Sequence, residues 1–111
     1  MSAEYCLVLC SCPEEETATG LAKMAVSERL AACVNILPGL TSVYSWKGAI
    51  ETARETLLLI KTETAVYPLL EARLRERHPY ELPEIVAVPI GRGLPDYLQW
   101  ISQWLTPESQ A

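Results

Sequence analysis

The sequence predicts an α+β fold in which helices cover one face of an antiparallel sheet. Two observations carry that expectation. Apolar runs of strand length alternate with stretches of helical period, in the order β-α-β-β-α-β plus one further helix. The segment from Cys33 to Thr62 reads as two long extended runs around a reversal at Lys47-Gly48.

The elements follow in order. Tyr5 to Ser11 reads as a strand that is apolar on both faces, with Tyr5, Leu7 and Leu9 on one and Cys6, Val8 and Cys10 on the other. A helix follows from about Pro13, because a proline near the first helical position and the acidic run Glu14-Glu15-Glu16 suit a helix N-terminus. Ala18, Leu21, Ala22 and Ala25 then recur at helical spacing. Pro38-Gly39 marks a bulge in the first long strand. The second long strand is polar from Glu51 to Glu55 and continuously apolar from Leu57 to Ile60. A second helix begins near Pro68 and ends at His78-Pro79. Ile85 to Ile90 is an apolar strand that Pro89 assigns to an edge or an end. The last helix starts at about Pro95 and carries Tyr97, Trp100, Ile101, Trp104 and Leu105 on one stripe. This order is the ferredoxin-like arrangement. Residues 1–105 make a single domain, and Thr106 to Ala111 a short polar tail.

The hairpin has a consequence for assembly. Each of its runs spans about 45 Å at roughly 3.3 Å per residue, whereas a domain of this length has a diameter of roughly 35 Å. A lone two-stranded ribbon is marginal in water. A second copy of the chain is the simplest cover for the overhang, and Trp46 near its tip is expected to be buried against another subunit. Strands that are apolar on both faces point the same way, since an antiparallel sheet normally leaves one face polar.

Composition excludes several classes. The chain has 111 residues, 50% of them hydrophobic and 21% charged, with a net charge of -5. Binding nucleic acid takes a basic stripe, so no nucleic-acid partner is expected. No apolar run reaches the length of a membrane span. The start MSAEYCLVLC lacks a basic region and enters a strand at once, so a cytoplasmic location is expected. Of the four cysteines, Cys6 and Cys10 lie about 13 Å apart along an extended strand, too far to bridge. Cys6 and Cys33 read as reduced, partly buried thiols, and without a C-x-x-C motif a zinc or thioredoxin-type site lacks support.

Catalytic signals are weak. His78 is the one histidine, and no nucleophile elbow, H-E-x-x-H, P-loop or dinucleotide fingerprint occurs. No catalytic residue is assigned and no organic cofactor is evident. The distinctive cluster is HPYELPE at 78 to 84, which places an imidazole, a phenol and two carboxylates between prolines. Imidazole, carboxylate and a nearby thiolate suit copper or zinc. The residue types alone favour a structural account, in which His78 caps the preceding helix and Glu84 pairs with Arg73, Arg75 or Arg77.

LVLCSCP at 7 to 13, LAACVNILPGLTSVYSWKGAI at 30 to 50, ETLLLIKT at 55 to 62, HPYELPEI at 78 to 85 and YLQWI at 97 to 101 together resemble the CutA family, the divalent-cation tolerance proteins. The resemblance spans nearly the whole chain. It implies a compact homotrimer and an association with copper and other divalent cations. Carried over by residue, it implies Cys10, His78 and Glu84 as the metal set; Arg77 stands where some members carry a further histidine. The family's trimer resembles that of PII-type signalling proteins, which implies a small-ligand site between subunits, with Tyr44, Trp46, Lys61 and Tyr80 assigned to the cleft or interface. The leading expectation is a trimeric metal- or small-ligand-binding module of divalent-cation tolerance. The alternative is a PII-like signalling trimer that binds a small anion or nucleotide in the cleft and an unidentified protein partner. An enzyme built between chains ranks third.

Overall fold

Two strands longer than the body that carries them dominate the architecture. In a computed structural model, which describes residues 4–105, these are β2 (Cys33–Trp46) and β3 (Ala49–Glu63). The rest of the sheet is β1 (Tyr5–Cys12) and β4 (Ile85–Ile90); the helices are α1 (Glu15–Ser27), α2 (Tyr67–Arg77) and α3 (Pro95–Trp104). The tail expected over 106–111 lies outside the described residues. The molecule measures 47 × 25 × 22 Å, its long axis close to the ribbon length expected from the residue count.

The sheet is antiparallel throughout, in the order β2-β3-β1-β4. Pro89 therefore sits on an edge strand, where its missing N–H removes no second ladder. The expected bulge occurs between Leu37 and Leu40, with Gly39 at φ +76°. At the hairpin tip Lys47 and Gly48 take φ of +50° and +83°. Two positive φ values in a two-residue loop match the twist of the flanking strands. Space around Gly48 is open, so the backbone alone constrains it. Gly48→Ala should therefore cost about 1 kcal/mol through left-handed strain. Urea unfolding measures it, and an unchanged midpoint would show a turn that relaxes freely.

Strand alternation separates the two faces. Cys6, Val8, Cys10 and Cys12 of β1 and Leu58, Ile60 and Thr62 of β3 point towards α1 and α2 and are buried. Leu7, Leu9, Leu57 and Leu59 point the other way and are half-buried, and Val86 and Val88 beside them are 47% and 46% exposed. This second face has an apolar centre that stays partly exposed, and α3 bonds it at Tyr5, Lys61 and Glu63.

α1 begins at Glu14, with Glu15 and Glu16 in its first turn as expected. It ends in a Schellman motif: the Leu30 amide donates to Ala25 O, the Arg29 amide to Val26 O, and Arg29 adopts φ +60°. The Arg29 guanidinium then lies 3.9 Å from the centre of the Trp104 ring, and the Trp104 indole donates to Val26 O at 2.8 Å. α3 is tied down further along by Ser102, which donates to Glu63 and bonds the Tyr5 hydroxyl at 2.6 Å. The stripe expected on α3 forms but is only partly covered. Ile101 and Leu105 are buried, but Tyr97, Trp100 and Trp104 remain 38%, 47% and 37% exposed. Periodicity identifies residues that share a face; among the described residues, the aromatic part of this one is only partly covered, by Arg29 over Trp104 and Lys61 over Tyr97.

Candidate functional site

β1 ends one residue later than its apolar pattern suggests, at Cys12 rather than Ser11. That extra residue changes the site. Cys10 and Cys12, two apart on one strand, point to the same face, and both are fully buried. His78 closes the end of α2, its backbone N–H donating to Leu74 O, and its ring lies over the end of β1. The two sulfurs and an imidazole nitrogen lie within 4.8 Å of one another. The hydrogen bond between the thiols, then burial, then the Glu84 charge raise the Cys10 pKa well above the usual thiol range.

The hydrogen bonds around His78 fix its tautomer. Nε2 lies 2.8 Å from Ser11 O, a pure acceptor, so Nε2 carries the proton and donates. Nδ1 then accepts the Tyr80 amide at 3.1 Å. Both ring nitrogens are engaged in a neutral imidazole. Ser11 sits one residue past Cys10↔Ile85, the last pair of the β1–β4 ladder, and the ring serves its carbonyl where β4 has not yet begun.

On the other face a cleft of about 720 Å³ opens between the hairpin and segment 80–84. Tyr44 and Trp46 line one side, and Tyr80, Glu81 and Glu84 the other. At its floor is Glu55, 8% exposed, which accepts from the Tyr80 hydroxyl at 2.7 Å. Burial and this carboxylate raise the Tyr80 pKa above the ordinary phenol value. Ser11 Oγ donates to Glu84 at 3.4 Å. The cleft lining contains three carboxylates and no lysine or arginine.

Of the residues the sequence selects, Cys10 and His78 meet, while Glu84 lies with Ser11 in the cleft and outside the thiol–imidazole cluster. Tyr44, Trp46 and Tyr80 share the cleft; Lys61 lies apart, its Nζ 3.4 Å from the Tyr97 hydroxyl. The expected pairing of Glu84 with an arginine does not occur. Arg73 bonds Glu28 at 2.9 Å and Glu76 instead. Cys12 and Glu55 are the residues sequence reasoning missed. The spacing of Cys12 from Cys10 was the available signal for the first; nothing local marks the second. The four thiols are free, as expected for Cys6 and Cys33.

Of the expected metal set, only Cys10 and His78 stand together in this arrangement. The lone pair of His78 is occupied by the Tyr80 amide, and Glu84 faces the opposite side of the sheet.

The model of the CutA1 divalent ion tolerance protein family matches residues 6–104. The chain belongs to that family. It is 52% identical over 97 residues to the divalent-cation tolerance protein CutA of Thermus thermophilus, covering 87% of this chain and 94% of that one. To Protein CutA of Mus musculus it is 46% identical over 93 residues, 84% of this chain but 52% of the mouse protein; it thus spans about half of that relative. Among solved structures, CutA1 from Oryza sativa superposes with a TM-score of 0.92 at 38% identity, covering 95% of this chain and 96% of that one. Membership ties the chain to tolerance of divalent metals in general. No helix among the described residues is long and apolar enough to cross a membrane.

Proposed function

We propose that this chain acts in divalent-cation tolerance as a metal-binding module for copper, working in the cytoplasm as a homotrimer of ferredoxin-like subunits. The observation that carries the reading is the convergence of Cys10, Cys12 and His78 at one buried point in a chain of this family. The partly exposed apolar centre of the sheet and the 47 Å ribbon support assembly. Cys10 anchors the metal. His78 and Glu84 are the further ligands of this reading; to serve, they would have to give up their present bonds to the Tyr80 amide and the Ser11 hydroxyl. The signalling alternative is not favoured, because a nucleotide or other anion would meet three carboxylates and no lysine or arginine in the cleft lining.

Calorimetric titration of the full chain with Cu(II) tests the reading. Wild type should bind, Cys10→Ser and His78→Ala should bind more weakly, and all binding should weaken as pH falls, because thiol and imidazole must lose protons to coordinate. Equal affinity and stoichiometry in all three proteins would mean that these residues form no metal site.

A further inference from the structure

We propose that the acidic cleft between the hairpin and segment 80–84 binds an aliphatic polyamine, a ligand whose ammonium groups are spaced along methylenes. The inference goes beyond the metal reading: it shares Glu84 with it and needs neither the thiols nor His78.

The bulge in β2 builds the cleft. Before it Leu37 pairs with Leu57, and after it Leu40 pairs with Glu55. The extra residue at Pro38-Gly39 thus reverses the alternation of β2. Tyr44 and Trp46 are thereby carried to the sheet face on which Glu55 lies, and all three line the cleft. Glu51, the cross-strand partner of Tyr44, adds a carboxylate on that face.

Glu55 points to a cationic donor. It is buried, it lines the cleft, and the Tyr80 hydroxyl bonds its Oε2. Among the described residues, no donor bonds its Oε1. The ion pairs formed among these residues all belong to Arg73. A buried carboxylate is costly unless it is paired and hydrogen-bonded. An ammonium group donating to Oε1 does both at once.

The spread of the charges selects an extended ligand over a single ion. A calcium or magnesium ion gathers six or more oxygens at about 2.0 to 2.6 Å. Among the described residues, Glu55, Glu81 and Glu84 do not converge in that way; the group that does is Cys10, Cys12 and His78. Carboxylates distributed around a cleft of about 720 Å³ match several ammonium groups held apart by methylenes. That volume lies within the range of about 300 to 1,000 Å³ usual for organic ligands. The walls between the carboxylates carry the rings of Tyr44, Trp46 and Tyr80, whose faces attract ammonium groups and cover methylene stems. Trp46 already takes a cation in this way: Lys47 Nζ lies 5.6 Å from its ring centre, although Lys47 does not line the cleft.

The test is calorimetric titration of the full chain with spermidine at about 0.15 M salt, where exposed charges are largely screened. One spermidine per chain is expected. Glu55→Gln, which keeps an acceptor for the Tyr80 hydroxyl, should lose affinity by about 30-fold, as truncating a buried charge pair does. Glu84→Gln, at an exposed position, should lose several-fold and serves if Glu55→Gln does not fold. Tetramethylammonium, with one charge and no N–H, should bind at least about tenfold more weakly than spermidine. Wild-type affinity in both glutamine variants would mean attraction to the net charge of -5 alone and would overturn the site. So would the loss of all binding at this salt concentration, or displacement of spermidine by equimolar Mg(II). Cys10→Ser should keep wild-type affinity for spermidine whatever it does to copper, so the failure of either reading leaves the other standing; a large loss in Cys10→Ser would place the spermidine elsewhere and refute the cleft.

Discussion

His78→Ala should lower unfolding stability by about 2 to 4 kcal/mol, even with no metal present. The ring is 8% exposed and serves two backbone groups at once. Its removal leaves Ser11 O without a partner at the end of the β1–β4 ladder and frees the Tyr80 amide. A buried group left unpaired costs about 1 to 3 kcal/mol, and the lost ring adds a cavity. His78→Gln should recover part of the loss, because an amide can both donate and accept. Urea unfolding of the three proteins decides it. If alanine and wild type unfold at the same midpoint, the ring is not a structural tie.

Leu59→Asp should abolish the proposed homotrimer. Leu59 pairs with Leu9 and Asn35 at the centre of the partly exposed sheet face. Burying a carboxylate there costs several kcal/mol per chain unless a cation pairs with it. Sedimentation equilibrium of wild type at micromolar concentration should give about three times the 12.3 kDa of one chain. The variant should run as a monomer or fail to fold. Wild type running as a well-folded monomer would refute the assembly; an unchanged variant would place the interface elsewhere.

Much of the architecture was legible because it depends on runs and periods. The continuous apolar strands, the acidic start of α1, the bulge at Pro38-Gly39 and the reversal at Lys47-Gly48 all lie where local chemistry puts them. What lay out of reach depends on contacts between distant residues. Arg73 was a candidate partner for Glu84, yet it is taken by Glu28 on α1 and Glu76 on its own helix. The aromatic stripe of α3 has the right period, but only Ile101 and Leu105 are buried. The thiol pair was missed for a narrower reason. Ending the strand at Ser11 hid the fact that Cys12 continues the alternation, and a strand one residue longer turns an isolated Cys10 into half of a pair. Segment 78–84 was recognisable from its composition alone, although its proposed chemistry and its observed bonds differ: the imidazole braces backbone, and Glu84 faces the cleft.

Ser11 joins the two sides of the sheet. Its carbonyl holds the His78 ring over the thiols, and its hydroxyl reaches Glu84 in the acidic cleft. A cleft ligand that displaced this one residue would therefore also move the ring over the sulfurs. By reciprocity, whatever coupling a cleft ligand exerts on the thiol site, an ion at the thiols exerts equally on the cleft.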